Sequence, residues 1–160
     1  MRSIVPEDEQ FLCALYASTR ADEMAITPWS EEEKTNFLRM QFTAQHTYYQ
    51  EQFKTVDFDI IELNGTVIGR FYIDRREDEI RLIDIALLPE HQGAGLGKLM
   101  MQLLLDEAAD KALPVRLHVE GNNPARRLYD RLGFKPIADK GVYEMMEWRP
   151  EEMVRLSTAG

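Results

Sequence analysis

Apolar and polar positions recur with two different periods along this chain, and the switches between them outline its elements. Ile4 predicts the start of a short strand, and Pro6-Glu7-Asp8-Glu9 the opening of a helix with acids in its first turn, running to about Thr19. Pro28 and Trp29 mark a loop. Ser30 then caps a second helix, with Glu33 in the capping-box position. That helix carries Phe37, Met40 and Phe42 and extends to about Phe53. Strand-like runs follow at Phe58–Leu63 and Thr66–Asp74, joined by Asn64-Gly65, a strong tight-hairpin signal. A charged turn at Arg75–Asp78 leads to a strand at about Glu79–Leu88.

Beyond it, Leu96, Leu99, Met100, Leu103, Leu104 and Ala108 form the stripe of a helix packed on a sheet. Val115, Leu117 and Val119 alternate in a further strand, which places Arg116, His118 and Glu120 on its other face. Pro124 suits the first turn of another helix, and Gly133 its left-handed end. Lys135–Trp148 reads as two strands around a turn at Asp139–Gly141, and residues from about 150 as a loose tail. The order is strand, two helices, three strands, helix, strand, helix, two strands. It predicts an α/β chain with a mixed, mostly antiparallel sheet. A length of 160 residues suits a single domain, 1–160.

Composition narrows the classes. No apolar run approaches the ~20 residues of a membrane span, and the first residues lack a signal-peptide core. A net charge of −9 argues against nucleic acid as a partner. The single cysteine, Cys13, cannot form an internal disulfide, which suggests a reducing, cytoplasmic setting. Its helical context favours packing over a nucleophilic role. The acidity is concentrated early: residues 1–60 hold eleven Asp/Glu against five Lys/Arg. Such a region either favours a cationic acceptor or forms a solvated face. His46, His91 and His118 show no metal-ligand spacing, so no metal is expected.

Residues 85–98, Ile-Ala-Leu-Leu-Pro-Glu-His-Gln-Gly-Ala-Gly-Leu-Gly-Lys, carry the most chemistry. A strand, a glycine-rich turn and an amphipathic helix in succession build an anion site from backbone amides. A Walker A loop is excluded, because Gln92 replaces its first glycine and Leu99 its hydroxyl. A dinucleotide fingerprint fails at Lys98, where its third glycine belongs. Gln92, Gly95 and Gly97 do match Gln/Arg-x-x-Gly-x-Gly/Ala in full. Residues 115–134 add a strand followed by Asn122, Ala125, Leu128, Tyr129, Leu132, Gly133 and Phe134 at fixed spacing. Together these two blocks resemble the GNAT superfamily of N-acetyltransferases, strongly over residues 58–148 and weakly over the first 55.

The resemblance implies a GNAT-like sheet with helices on both faces, acetyl-CoA as cosubstrate, and direct attack by a primary amine in a ternary complex. It implies pyrophosphate binding by the amides of Gln92, Gly93, Ala94, Gly95, Leu96, Gly97 and Lys98. Leu87 and Leu88 would meet the pantetheine arm, which fills a splay between Ile83–Leu88 and Val115–Val119. The Leu87 backbone would polarise the thioester carbonyl. Asn122 and Ala125 would line the cofactor, and Tyr129 would protonate the departing thiolate. Tyr129 packed against Phe134 is the structural alternative.

The family often carries a strand glutamate six residues before the Leu87 position; here Arg81 stands there and cannot act as a base. Asp84 is the nearest acid, either orienting the amine or passing its proton through water, or else pairing structurally with Arg116. His118 and Glu120 are further candidates on a face that otherwise reads as salt-bridged. Trp29, Tyr48 and Tyr49 either line an acceptor pocket or pack in the core. The missing glutamate keeps open a non-catalytic acyl-CoA sensor, and the loop alone does not fix acyl-chain length. A structural domain without a ligand, and a homodimer, also stay open.

Overall fold

Ser30 shows how local chemistry sets the elements. Its hydroxyl accepts a hydrogen bond from the Glu33 amide at 3.2 Å and donates one to the Glu33 carboxylate at 3.2 Å. This satisfies an orphan donor at the start of a long helix, as the capping box predicts. The computed structural model describes residues 1–52, 55–93, 95–120, 123 and 125–150. Its strands are β1 (Arg2–Ser3), β2 (Val56–Leu63), β3 (Thr66–Arg75), β4 (Ile80–Leu87), β5 (Val115–Glu120), β6 (Lys135–Lys140) and β7 (Tyr143–Trp148). Its helices are α1 (Glu9–Thr19), α2 (Ala21–Ala25), α3 (Glu31–Gln52), α4 (Leu96–Asp110) and α5 (Ala125–Leu132).

The strands form one seven-stranded sheet in the order β1-β2-β3-β4-β5-β7-β6. β4 and β5 run parallel, with Ile80 opposite Val115 and Leu82 opposite Leu117. β1–β2, β5–β7 and β6–β7 are antiparallel. The β2–β3 hairpin turns on Asn64 and Gly65, both at positive φ (53° and 80°), the geometry that Asn-Gly favours. The edge strand β6 carries Lys135, Pro136 and Lys140 and an irregular register between Pro136 and Ala138, all of which discourage further pairing.

The chain divides into two compact units: Met1–Tyr72 with Asp84–Ala94, and Ile73–Ile83 with Gly95–Gly160. In the first, Leu12, Tyr16, Leu38, Phe42 and Ile60 form a buried cluster, with Cys13 packed at its margin. In the second, the buried residues of α4 are Met100, Met101, Leu104, Leu105 and Ala108. Val115, Leu117 and Val119 are buried on β5, while Arg116 and Glu120 are half-buried and His118 is exposed. Each fully buried aliphatic side chain contributes about 1.5–3 kcal/mol.

Several expectations need correction. β1 ends at Ser3 rather than starting at Ile4, because Arg2 and Ser3 pair with Ile60 and Asp59 while Ile4 adds only an amide bond to Phe58. The helix expected from Pro6 begins as a 3₁₀ turn, Pro6–Asp8, before α1. Part of the expected loop before Pro28 is the short helix α2. The buried stripe of α4 includes Met101 and Leu105 and leaves Leu99 and Leu103 exposed; six leucine and methionine residues so close together made the face ambiguous. Of the apolar residues read on α3, Phe42 is buried, together with Leu38, whereas Met40 is exposed. The β6–β7 turn falls at Gly141–Val142. Phe53, Pro124 and the tail from 151 lie outside the described residues.

Two predictions follow from packing within the units. At Gly69 an added Cβ would lie 2.3 Å from the Ala86 carbonyl oxygen and 2.8 Å from Leu87 Cδ2. Gly69→Ala is therefore expected to lose about 1–3 kcal/mol in urea unfolding, because backbone must move to admit it. Glu107 of α4 is held down to about 2 by hydrogen bonds from Arg75, first, and Lys111. Its folded value lies below the ordinary carboxylate range, so its stabilisation is full above pH 4.5 and fades as pH falls toward 2. Unfolding free energies of the Arg75→Gln variant measured between pH 5 and 2.5 should show a shallower acid slope than the parent.

Candidate active site

The C-terminal half of β4, from Asp84, belongs to the first unit. Asp84 sits in the apolar run Leu82-Ile83-Asp84-Ile85-Ala86. A charge there needs a partner. The partner is Arg70 of β3, so the alternative of a structural pair with Arg116 is corrected. Arg116 instead bonds Glu147 at 2.8 Å and Glu79 at 3.2 Å, because β7 and the start of β4 bring those carboxylates to it. The Arg70 side chain is 5% exposed and that of Asp84 is 26% exposed, so the carboxylate alone of the pair reaches solvent.

Arg70 gathers a small polar group within the core. Its guanidinium lies 5.2 Å from the centre of the Tyr72 ring and 3.5 Å from Gln45 Oε1 on α3. Tyr72 meets Tyr49 and Phe58 edge-on, with ring centres 6.2 and 4.9 Å apart. Burial pushes the Tyr72 phenol up to about 12. Arg70 Nε and the Tyr72 hydroxyl are buried without a hydrogen-bond partner among the described residues. His46, stacked on Phe42 at 5.3 Å, is lowered from the ordinary histidine value by burial, against an upward pull from Glu9 and with a smaller downward push from Arg70.

The turn after β4 is anchored back onto it. Pro89–His91 forms a 3₁₀ turn, and the Gln92 side-chain amide donates to the Leu87 carbonyl at 2.9 Å. The Leu88 amide donates to the Ile68 carbonyl at 2.9 Å. Leu87 is buried. Gly93 and Gly95 adopt φ of 79° and 83°, the left-handed region that glycine reaches without strain. A Cβ at either would meet nothing within 4 Å, so dihedral angle rather than crowding selects glycine there.

In the second unit, Gly95 is the N-cap of α4. The Leu99 amide makes an i→i−4 bond, to the Gly95 carbonyl at 3.0 Å. The amides of Leu96, Gly97 and Lys98 precede that bond and so have no intrahelical acceptor. Positive helix-end charge and those amides suit an anion. Tyr129 is buried on α5, its ring 5.6 Å from that of Phe134. Ala125, first residue of α5, donates its amide to Asn123 Oδ1 at 2.9 Å, an Asx turn that opens the helix. Ala94 and Asn122 lie outside the described residues.

Arg81, in place of the expected acid, donates to Glu79 at 2.9 Å. Glu79 is buried and also accepts from Arg76 at 3.0 Å and Arg116 at 3.2 Å. His118 is lowered from the ordinary value by desolvation and by the charges of Arg81 and Lys140, so its imidazole is neutral near pH 7. Among the described residues no group of three or more His, Cys, Asp or Glu is placed to hold a metal ion. No helix among them is long and apolar enough to cross a membrane. Arg70, Gly69 and Glu79 escaped the sequence reading. The available signal was an arginine inside the apolar β3 run Val-Ile-Gly-Arg-Phe-Tyr-Ile, matched by an acid inside β4.

The model described as Acetyltransferase (GNAT) family matches residues 17–134, and the chain belongs to that family. It is 36% identical over 75 residues to the [ribosomal protein bS18]-alanine N-acetyltransferase of Haemophilus influenzae, covering 46% of this chain and 51% of that protein. It is 35% identical over 88 residues to mycothiol acetyltransferase of Thermomonospora curvata, covering 53% of this chain and 30% of that protein. The match thus spans about half the length of the first curated relative and less of the second.

Among solved structures, PaiA N-acetyltransferase from Thermoplasma acidophilum, in complex with coenzyme A, has a TM-score of 0.68. It is 21% identical, covering 92% of this chain and 96% of that one. The Escherichia coli ribosomal-protein-S18-alanine N-acetyltransferase has a TM-score of 0.56 at 23% identity, covering 91% and 88%. At these identities the structures establish the fold.

The Arg70–Asp84 pair yields a direct test. Arg70→Leu leaves Asp84 without its counter-charge and is expected to cost about 3 kcal/mol in denaturant unfolding. The double variant Arg70→Leu/Asp84→Leu should recover most of that loss. Additive losses would show that the pair is not coupled.

Proposed function

We propose that this chain transfers the acetyl group of acetyl-CoA to a primary amine by direct attack. The observation that carries the reading is the glycine turn. Gly93 and Gly95 take left-handed angles immediately before the open first turn of α4, in a chain of the GNAT family. Amides of Gln92 to Lys98 hold the pyrophosphate, and Lys98 adds charge. The Leu87–Leu88 backbone receives the pantetheine arm. Asn122 and Ala125 flank the cosubstrate.

Acetyl-CoA supplies the activated acyl group; the amine nitrogen bonds its carbonyl carbon, the C–S bond breaks, and the thiolate takes a proton. The Leu87 amide stabilises the carbonyl oxygen as charge builds on it. Tyr129 gives the proton, a role suited to a phenol with ordinary acidity near 10 only as charge accumulates on sulfur. Asp84, fixed by Arg70, orients the incoming amine with its exposed oxygen. The proton that the amine nitrogen gives up passes through water to Asp84, and His118, held below the ordinary histidine value, is the alternative acceptor. The acidic surplus of residues 1–60 favours a cationic acceptor, and the Haemophilus influenzae relative, a [ribosomal protein bS18]-alanine N-acetyltransferase, adds a protein alanine to the candidates. The lone, half-buried Cys13 fits a reducing cytoplasmic setting.

Arg81 at the strand position of the family's acid favours one second reading, a non-catalytic acyl-CoA sensor. Calorimetric titration of acetyl-CoA, with free CoA in parallel, should show saturable binding at one site per chain. Gly95→Asp should abolish it, since a carboxylate would face the anion. With an alanine peptide and a diamine as acceptors, Tyr129→Phe should lower kcat about 10–100-fold and leave the acetyl-CoA Kd unchanged. Binding without turnover in the parent would establish the sensor, and absence of binding by folded protein would remove both readings.

A further inference from the structure

The Arg70–Asp84 pair is kept in the first unit at a cost. Breaking a buried ion pair destabilises a protein, but an apolar pair of similar volume serves stability as well or better. Here the arrangement also leaves Arg70 Nε and the Tyr72 hydroxyl, both buried, without hydrogen-bond partners among the described residues. Each such atom forfeits its hydration. A charge held in this way calls for a reason in the site it borders.

The geometry supplies one. The Arg70 guanidinium is fixed on three sides, by Asp84, by the Tyr72 ring at 5.2 Å and by Gln45 at 3.5 Å. Among the described residues packed around the pair, the other titratable groups leave that charge to face Asp84. Tyr72 keeps its proton, its phenol pushed up to about 12 by burial. Tyr49 of α3 meets the Tyr72 ring edge-on. His46 of α3, lowered by burial, is neutral near pH 7. Glu9 of α1 lies against His46 at 3.7 Å, and Asp8 is engaged by Arg2 through two bonds of 2.8 Å. Arginine itself stays protonated at every working pH.

An amine on the exposed oxygen of Asp84 would stand about 6 Å from this guanidinium, one carboxylate and one hydrogen bond away. At an effective dielectric of about 20, two positive charges at that distance oppose each other about a hundredfold in equilibrium constant. An aspartate alone would favour the ammonium form, which has no lone pair for attack. Paired with arginine, it accepts a hydrogen bond from the neutral amine instead. We propose, on the acetyl-transfer reading above, that Arg70 is a positioning residue that makes the acceptor bind as the neutral amine, its proton passing to solvent on binding. The acidic surplus of residues 1–60 acts earlier, by drawing the cation toward the chain.

Calorimetric titration of an alanine peptide into the full chain saturated with free CoA, in two buffers of different ionisation enthalpy near pH 7, counts the protons released. The free amine titrates near 8 and is about nine-tenths protonated there. The parent should release about 0.5 proton or more per amine bound. Arg70→Gln should release close to none, and Arg70→Lys, which keeps the charge, should stay near the parent. A diamine, titrating near 10, should give the same contrast at about pH 9. In turnover, the acid limb of kcat should lie about one pH unit or more higher in Arg70→Gln than in the parent, since kcat reports groups in the ternary complex. A purely structural arginine would alter affinity and folding, which circular dichroism checks, but not the proton count. Should Arg70→Gln fail to fold, the parent's own count still decides. Amine binding by the parent without proton release would overturn the proposal and leave acetyl transfer standing. Equal release by parent and Arg70→Gln would overturn the role of Arg70. No binding of either amine beside CoA would overturn it together with the acceptor reading on which it rests.

Discussion

The close approach of β3 and β4 is the constraint on which the candidate site depends. Gly69 stands so near the Ala86 carbonyl that a methyl group would overlap it. One residue further on, Arg70 ties the same strand to Asp84. The Leu88 amide closes the contact by bonding Ile68. Three successive residues of β3 thus fix where β4 ends and how Leu87 is presented. The Gln92 side chain, bound to the Leu87 carbonyl, passes that placement to the glycine turn. The family's loop motif therefore rests on residues outside the motif.

The parts legible in the sequence were those governed by local physics. Asn64-Gly65 determines a tight turn because both residues tolerate positive φ. Ser30 and Glu33 cap α3 by their own hydrogen bonds. Gly95 starts α4 and Gly133, at φ 99°, ends α5. Alternation on β5 placed Val115, Leu117 and Val119 inside correctly, because two faces leave one choice.

What escaped was set by partners distant in sequence. Asp84 was recognisable as an acid in need of a counter-charge, but no local pattern could choose Arg70 over Arg116. That choice depends on which strand lies beside β4 at that height. Likewise, the buried side of α4 could not be told among Leu99, Met100, Met101, Leu103, Leu104 and Leu105, since an apolar cluster wider than one face leaves the rotation of the helix to its tertiary neighbours. α2 lacked an apolar stripe and a side-chain cap, so its five residues read as loop.

Glu79 gives the arginine at position 81 its structural partner. That carboxylate is buried and accepts from three arginines, Arg76, Arg81 and Arg116. Burying a carboxylate is tolerated only with such compensation. A glutamate at 81 would remove one of those donors and set a second negative charge beside the first, on the strand position directly opposite Arg116. Arginine at 81 and glutamate at 79 are therefore one structural decision. The carboxylate that reaches solvent on β4 is Asp84, three residues along the strand and held by a different arginine.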